Sequence, residues 1–174
     1  FLQTCDTCRR ILKEVNLDEI WLVITPISPF KQANKLTNYY TRFKIINNYC
    51  KKNSNIICSD VEFNLNPPYN TSDTLMYLNK EYPKTDFKII LGEDNLNTLH
   101  LWSNHELILE HKICVYPRKS LSKEKSKLIS HPNVNLYNAP IMEISSTLIR
   151  KNILEKISIS HLVPKEIEEM LIEK

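Results

Sequence analysis

Glycine is almost absent: Gly92 is the single one in 174 residues. That count excludes both common glycine-rich phosphate loops, which need several glycines where the backbone passes close to a phosphate. Long apolar runs are missing too. No stretch approaches the roughly eighteen apolar residues needed to cross a bilayer, and no charged-then-apolar signal segment opens the chain, so no membrane partner is expected. Charge of one sign is scarce: a net +3 is too slight to argue for nucleic acid and leaves anionic substrates open. The cysteines number five, an odd and scattered set that fits reduced thiols and a cytoplasmic setting. Cys5-Asp6-Thr7-Cys8 has no second pair to complete a zinc site, and the histidines show no ligand spacing, so no metal site is read.

What is present reads as one domain, 1-174, with 42% hydrophobic and 25% charged residues, the balance of a folded globular chain. Helical spacing marks Leu2 to Val15, Asn38 to Cys50 (with Arg42 and Lys44 on other faces), and Thr71 or Ser72 through Tyr82. Residues 93 to 100 and 103 to 110 read as short helices, Ser120 to Ser130 as a Lys-rich surface helix. A C-terminal helical part runs from about 146, with Pro164 at a helix start and Ile167, Met170 and Leu171 facing the core. Short apolar runs mark strands at Ile20–Thr25, Ile56–Ser59, Phe87–Leu91, Ile113–Tyr116 and Val134–Tyr137. Strands separated by helices imply an α/β fold, a Rossmann-like parallel sheet with helices on both faces. Ligands of such sheets bind beyond the carboxyl ends of the strands. By that rule Pro26–Lys31, Gly92–Leu96, Tyr116–Arg118 and Pro140–Ser145 converge on one edge.

The stretch Glu143 to Arg150 carries its own chemistry. Ser145, Ser146 and Thr147 stand directly before an apolar-periodic run, where hydroxyls cap a helix start. The free N–H groups and positive dipole end of such a helix suit an anion. Arg150 lies four residues after Ser146 on the same face, and its guanidinium fork matches two phosphate oxygens. An ordinary capped helix with a solvated Arg is the plainer alternative. Gly92 likewise reads either as a turn glycine or as a place where a nucleotide approaches the backbone.

Ile144 to Arg150 resembles the Ile-Ser-Ser-Thr-x-Ile-Arg signature of the nicotinate-mononucleotide adenylyltransferases. These belong to the nucleotidyltransferase superfamily with a His-x-Gly-His motif. Four further segments are similar and in the same order: Pro26-Ile27-Ser28-Pro29-Phe30-Lys31; Thr71-Ser72-Asp73-Thr74-Leu75; Gly92-Glu93-Asp94-Asn95-Leu96 with Trp102; and Val115-Tyr116-Pro117-Arg118. The resemblance implies ATP and nicotinate mononucleotide as substrates, with Mg²⁺ accompanying ATP. It implies ATP contacts for Ser145, Ser146, Thr147, Arg150, Gly92, Asp94, Lys31 and Arg118, with Arg150 also catalytic, and mononucleotide contacts for Thr71 and Trp102. Asn70 stands where relatives often have an aromatic.

One part of the pattern has no counterpart. The family's His-x-Gly-His positions fall on Phe1-Leu2-Gln3-Thr4, and none of the four matches. The same resemblance puts the family's first strand at the centre of the sheet, between Ile20–Thr25 and Phe87–Leu91. An open strand edge beside Gly92, and little or no activity of these residues alone, are therefore expected. Two other functions stay open: an inactive nucleotide-binding derivative of the family, and a related adenylyltransferase acting on another phosphate-bearing substrate such as phosphopantetheine.

Overall fold

Short apolar strands separated by long connections, rather than by tight two-residue turns, pair in parallel, and this is how the chain folds. The computed structural model describes residues 10–27, 38–117, 126–138 and 146–172. Two compact units are present: Phe1–Asn64 together with Glu143–Lys174, and Leu65–Met142.

In the first unit, helical residues 10–15 (α1) end at Asn16, whose φ of 52° is left-handed. There the Leu17 N–H donates back to the Leu12 carbonyl at 3.1 Å, the closing bond of a helix-terminating turn. Strand β1 (Ile20–Val23) pairs in parallel with β2 (Ile56–Ser59), Ile20 against Ile56 and Val23 against Ser59. Helix α2 (Tyr39–Cys50) makes the crossover; the Asn38 side chain caps it by accepting from the Tyr40 N–H at 2.9 Å. Ile46, Tyr49 and Cys50 form its buried face. Helices α6 (Ser146–Leu154) and α7 (Lys165–Ile172) complete the unit. Ile149, Ile159, Val163 and Ile167 are buried there, and α7 packs against α2. Met170 and Leu171, expected in the core, are half-buried.

In the second unit, α3 (Thr71–Glu81) precedes strand β3 (Ile89–Gly92), and α4 (Glu93–Thr98), a 3₁₀ turn at Leu99–Leu101 and α5 (His105–Leu109) follow. Strands β4 (Ile113–Tyr116) and β5 (Val134–Leu136) then add in order, all parallel. The middle strand is the most deeply set: Ile113, Cys114 and Val115 each expose 1% or less. A strand covered on both faces reads as a continuous apolar run rather than an alternating one. Around it Leu75, Leu91, Leu96, Leu99, Ile108 and Val134 form the core, with Trp102, Leu128 and Ile129 packed against it.

Two expectations need correction. Over Ser120 to Ser130, residues 118–125 lie outside the described residues, and Lys127–Ser130 is a 3₁₀ turn rather than an α-helix. Among the described residues of this stretch Leu128 and Ile129 pack against the core. The cap of α3 is Asn70, one residue before the expected Thr71 or Ser72. Among the described residues β1 bonds only to β2 and β3 only to β4; the residues before 10, where the missing first strand is expected to end, lie outside the described residues. No helix among the described residues is long and apolar enough to cross a membrane.

Candidate nucleotide site

Gly92 ends β3 level with Tyr116 of β4. Its φ of −77° and ψ of 152° are ordinary extended values, which any residue adopts. The conformation therefore does not call for glycine, and the plain turn explanation fails at this position. Gly92 is also buried. What glycine supplies here is the absence of a Cβ at the carboxyl end of a strand, so another group can come close to the backbone. Asp94 follows in the first turn of α4, half-buried, with its Oδ1 shielded from solvent. Leu96 and Leu99, fully buried, anchor the α4 segment to the core and so hold the Asp94 backbone in place.

Trp102 closes the 3₁₀ turn, its N–H donating to the Leu99 carbonyl at 2.9 Å. It is half-buried against the same core as Leu91, Leu96 and Leu99. Trp102 thus combines a packed side with a partly exposed one, the usual compromise for a large amphipathic ring.

Thr71 is the first residue of α3 and half-buried. Next to it Ser72 is completely buried, and its hydroxyl has no hydrogen-bond partner among the described residues. Asn70 leaves its own cap side chain off the backbone; its Nδ2 donates to Asp73 Oδ2 at 3.0 Å instead. The Asp73 and Thr74 N–H groups both turn to the Asn70 carbonyl. A carboxylate in the first turn stabilises the helix through the dipole and also opposes a second anion close by.

The remaining sequence candidates belong to the first unit or fall outside the described residues. α6 begins at Ser146, as expected, and Ser145 before it is not among the described residues. Thr147 and Arg150 are exposed on α6, while Ile149 between them is buried. Three residues apart, Thr147 and Arg150 share a face of the helix. Lys31, Arg118, Cys5 and Cys8 lie outside the described residues. Among the described residues no group of three His, Cys, Asp or Glu side chains could hold a metal ion.

Sequence reasoning placed Arg42 on another face of its helix than the apolar stripe and gave it no role. In the structure it is half-buried, and its Nη2 donates to the carbonyls of Thr25 and Pro26, both at 2.8 Å. Burial lowers the guanidinium below its ordinary value, although an arginine keeps its charge throughout. No sequence signal marks such a residue, because periodicity reports a face and not the reach of a long side chain. Ser72 was missed for a similar reason, since a buried serine and a capping serine look alike in sequence.

The sequence profile of the cytidylyltransferase-like family matches residues 5–152. A protein of Flavobacterium johnsoniae named a probable nicotinate-nucleotide adenylyltransferase is 43% identical over 157 residues, covering 90% of this chain and 81% of its own length. One of the same name from Cytophaga hutchinsonii is 42% identical over 160 residues, covering 91% and 82%. Among solved structures, the Plasmodium falciparum nicotinic acid mononucleotide adenylyltransferase complexed with NaAD aligns with a TM-score of 0.73 at 21% identity, over 97% of this chain and 88% of that one. At that identity the likeness concerns the fold, and it agrees with the parallel strands and flanking helices described above. Sequence relatives and family profile together establish that the chain belongs to the cytidylyltransferase-like nucleotidyltransferases, in the family of the nicotinate-nucleotide adenylyltransferases.

Proposed function

We propose that this protein transfers the adenylyl group of ATP to nicotinate mononucleotide, giving the deamido form of NAD and pyrophosphate. The observation that carries the reading is Gly92, the one glycine of the chain, buried at a strand end whose backbone does not require it. A nucleotide lying against that backbone accounts for it. The relatives in Flavobacterium and Cytophaga, by their names, act on the same mononucleotide.

In this reading Gly92 and Asp94 meet ATP, and Ser145, Ser146, Thr147 and Arg150 hold its phosphates. Arg150 also offsets the charge that builds on the α-phosphate, which makes it the catalytic residue of the set. Lys31 and Arg118 add cations along the triphosphate. Thr71 and Trp102 take the mononucleotide, with the pyridine ring against the indole. Mg²⁺ arrives on ATP as part of the substrate.

A phosphate oxygen of the mononucleotide attacks the α-phosphorus in line. The bond from that phosphorus to the bridging oxygen of the β-phosphate breaks, and pyrophosphate leaves with the electron pair. No bond to the enzyme forms, so catalysis is positioning plus fixed donors and charges. We place the reaction in the cytoplasm, where ATP is abundant.

The test is steady-state turnover by the full protein, rather than by these residues alone, with ATP and Mg²⁺ against three acceptors: nicotinate mononucleotide, nicotinamide mononucleotide and phosphopantetheine. The acid mononucleotide should give the highest kcat/KM. Equal or better turnover of either other acceptor contradicts the substrate assignment, and ATP binding with no turnover of any acceptor points to an inactive derivative.

A further inference from the structure

Strand β1 leaves its sheet in an unusual way. The last ladder bond is the Ile24 N–H donating to the Ser59 carbonyl at 3.0 Å. Beyond it Pro26 has no N–H, so the chain cannot continue the ladder. The carbonyls of Thr25 and Pro26 are instead both taken by Arg42 Nη2, at 2.8 Å each. Pro26 is buried and Arg42 half-buried. Arg42 is itself fixed by the start of α2, its N–H bonding the Asn38 carbonyl at 3.1 Å while Asn38 caps the helix through its side chain. One cationic side chain thus joins the crossover helix to the carboxyl end of β1, the end of a parallel strand where ligands bind.

We infer that Arg42 is a positioning residue for substrate binding: it holds the Thr25–Pro26 backbone in the conformation the bound nucleotides need. It acts through that backbone and not by touching substrate. Charge-assisted bonds are stronger and more directional than neutral ones, and misplacing a binding element by about 1 Å is enough to cost roughly a hundredfold in rate. The inference rests on the adenylyltransferase reading above.

Arg42→Met and Arg42→Lys, made in the full protein, test it through thermal melting and the KM and kcat for ATP and nicotinate mononucleotide. Arg42→Met should raise KM for at least one nucleotide about tenfold, from the loss of two charge-assisted bonds, with kcat changed less. Arg42→Lys should recover part of that loss, since a lysine offers the charge without the fork. Unchanged KM values overturn the role, even if the melting temperature falls, because KM does not depend on how much enzyme is folded. If Arg42→Met does not fold, the KM of Arg42→Lys decides: a value equal to wild type overturns the inference. A wild type that binds ATP without turning over counts against the adenylyltransferase reading alone. ATP affinity by calorimetry then replaces KM, with a tenfold weakening in the variant supporting the role and equal affinity overturning it. A wild type that binds neither nucleotide overturns both.

Discussion

A single methyl group at Gly92 is the most economical probe of the candidate site. Alanine adopts φ −77° and ψ 152° without strain, and replacing glycine at a compatible position stabilises a fold by about 0.4–1 kcal/mol through the unfolded chain. Gly92→Ala should therefore hold or raise the melting temperature while weakening ATP binding about tenfold or more, the loss of close backbone approach. A melting curve and a calorimetric titration together check this, and full ATP affinity in the variant removes Gly92 from the site. Cys114 gives a second residue-level expectation. It is 1% exposed in the middle of β4, and burial pushes its thiol above the ordinary value of 9.0. The folded state thus holds a proton that the unfolded chain gives up first. Its contribution is complete below about pH 9 and is lost as pH rises beyond that. Cys114→Val should flatten the decline in stability across roughly pH 8 to 10.5, a range set by the unperturbed thiol. Parallel slopes for variant and wild type in urea melts speak against it.

Among the elements, the near-absence of glycine leaves a visible trace at the helix ends. Helix α6 closes with the Ile157 N–H on the Asn152 carbonyl at 2.8 Å and the Lys156 N–H on the Ile153 carbonyl at 3.2 Å. Lys156 sits between them at a φ of 56°, the left-handed position normally given to glycine. A residue with a Cβ pays roughly 1–2 kcal/mol there, and glycine returns part of it as chain entropy. Lys156→Gly should accordingly stabilise the protein by about 0.5–1 kcal/mol, or roughly 1–4 °C; a lower melting temperature contradicts the assignment. Elements were the most legible level. Ile56–Ser59 and Ile113–Tyr116 were read to the residue because β-branched runs between helical segments have few other uses. At Lys127–Ser130, the described part of the Lys-rich stretch, the charges suggested an α-helix, but the residues form a 3₁₀ turn with Leu128 and Ile129 against the core. At α3 the sequence reading chose between Thr71 and Ser72 and passed over Asn70, although all three residue types cap helices.

For the whole molecule, periodicity could place five strands but not their neighbours. The expectation of an open edge on β3 came from resemblance, and among the described residues β3 pairs with β4. Motif positions were legible as positions in the chain: Gly92 ends β3, Asp94 lies in the first turn of α4, Thr71 opens α3 and Trp102 follows the 3₁₀ turn. Arg42 and Ser72 were not, because their significance lies in where a side chain turns after folding. The central claim is adenylyl transfer itself, and tracing the phosphates of ATP tests it most directly. With nicotinate mononucleotide as acceptor and radiolabel at the α-phosphate, the label should appear in the dinucleotide; with label at the γ-phosphate, it should appear only in pyrophosphate. Transfer of the γ-label to the mononucleotide, or release of α-label as free AMP without dinucleotide, contradicts the account.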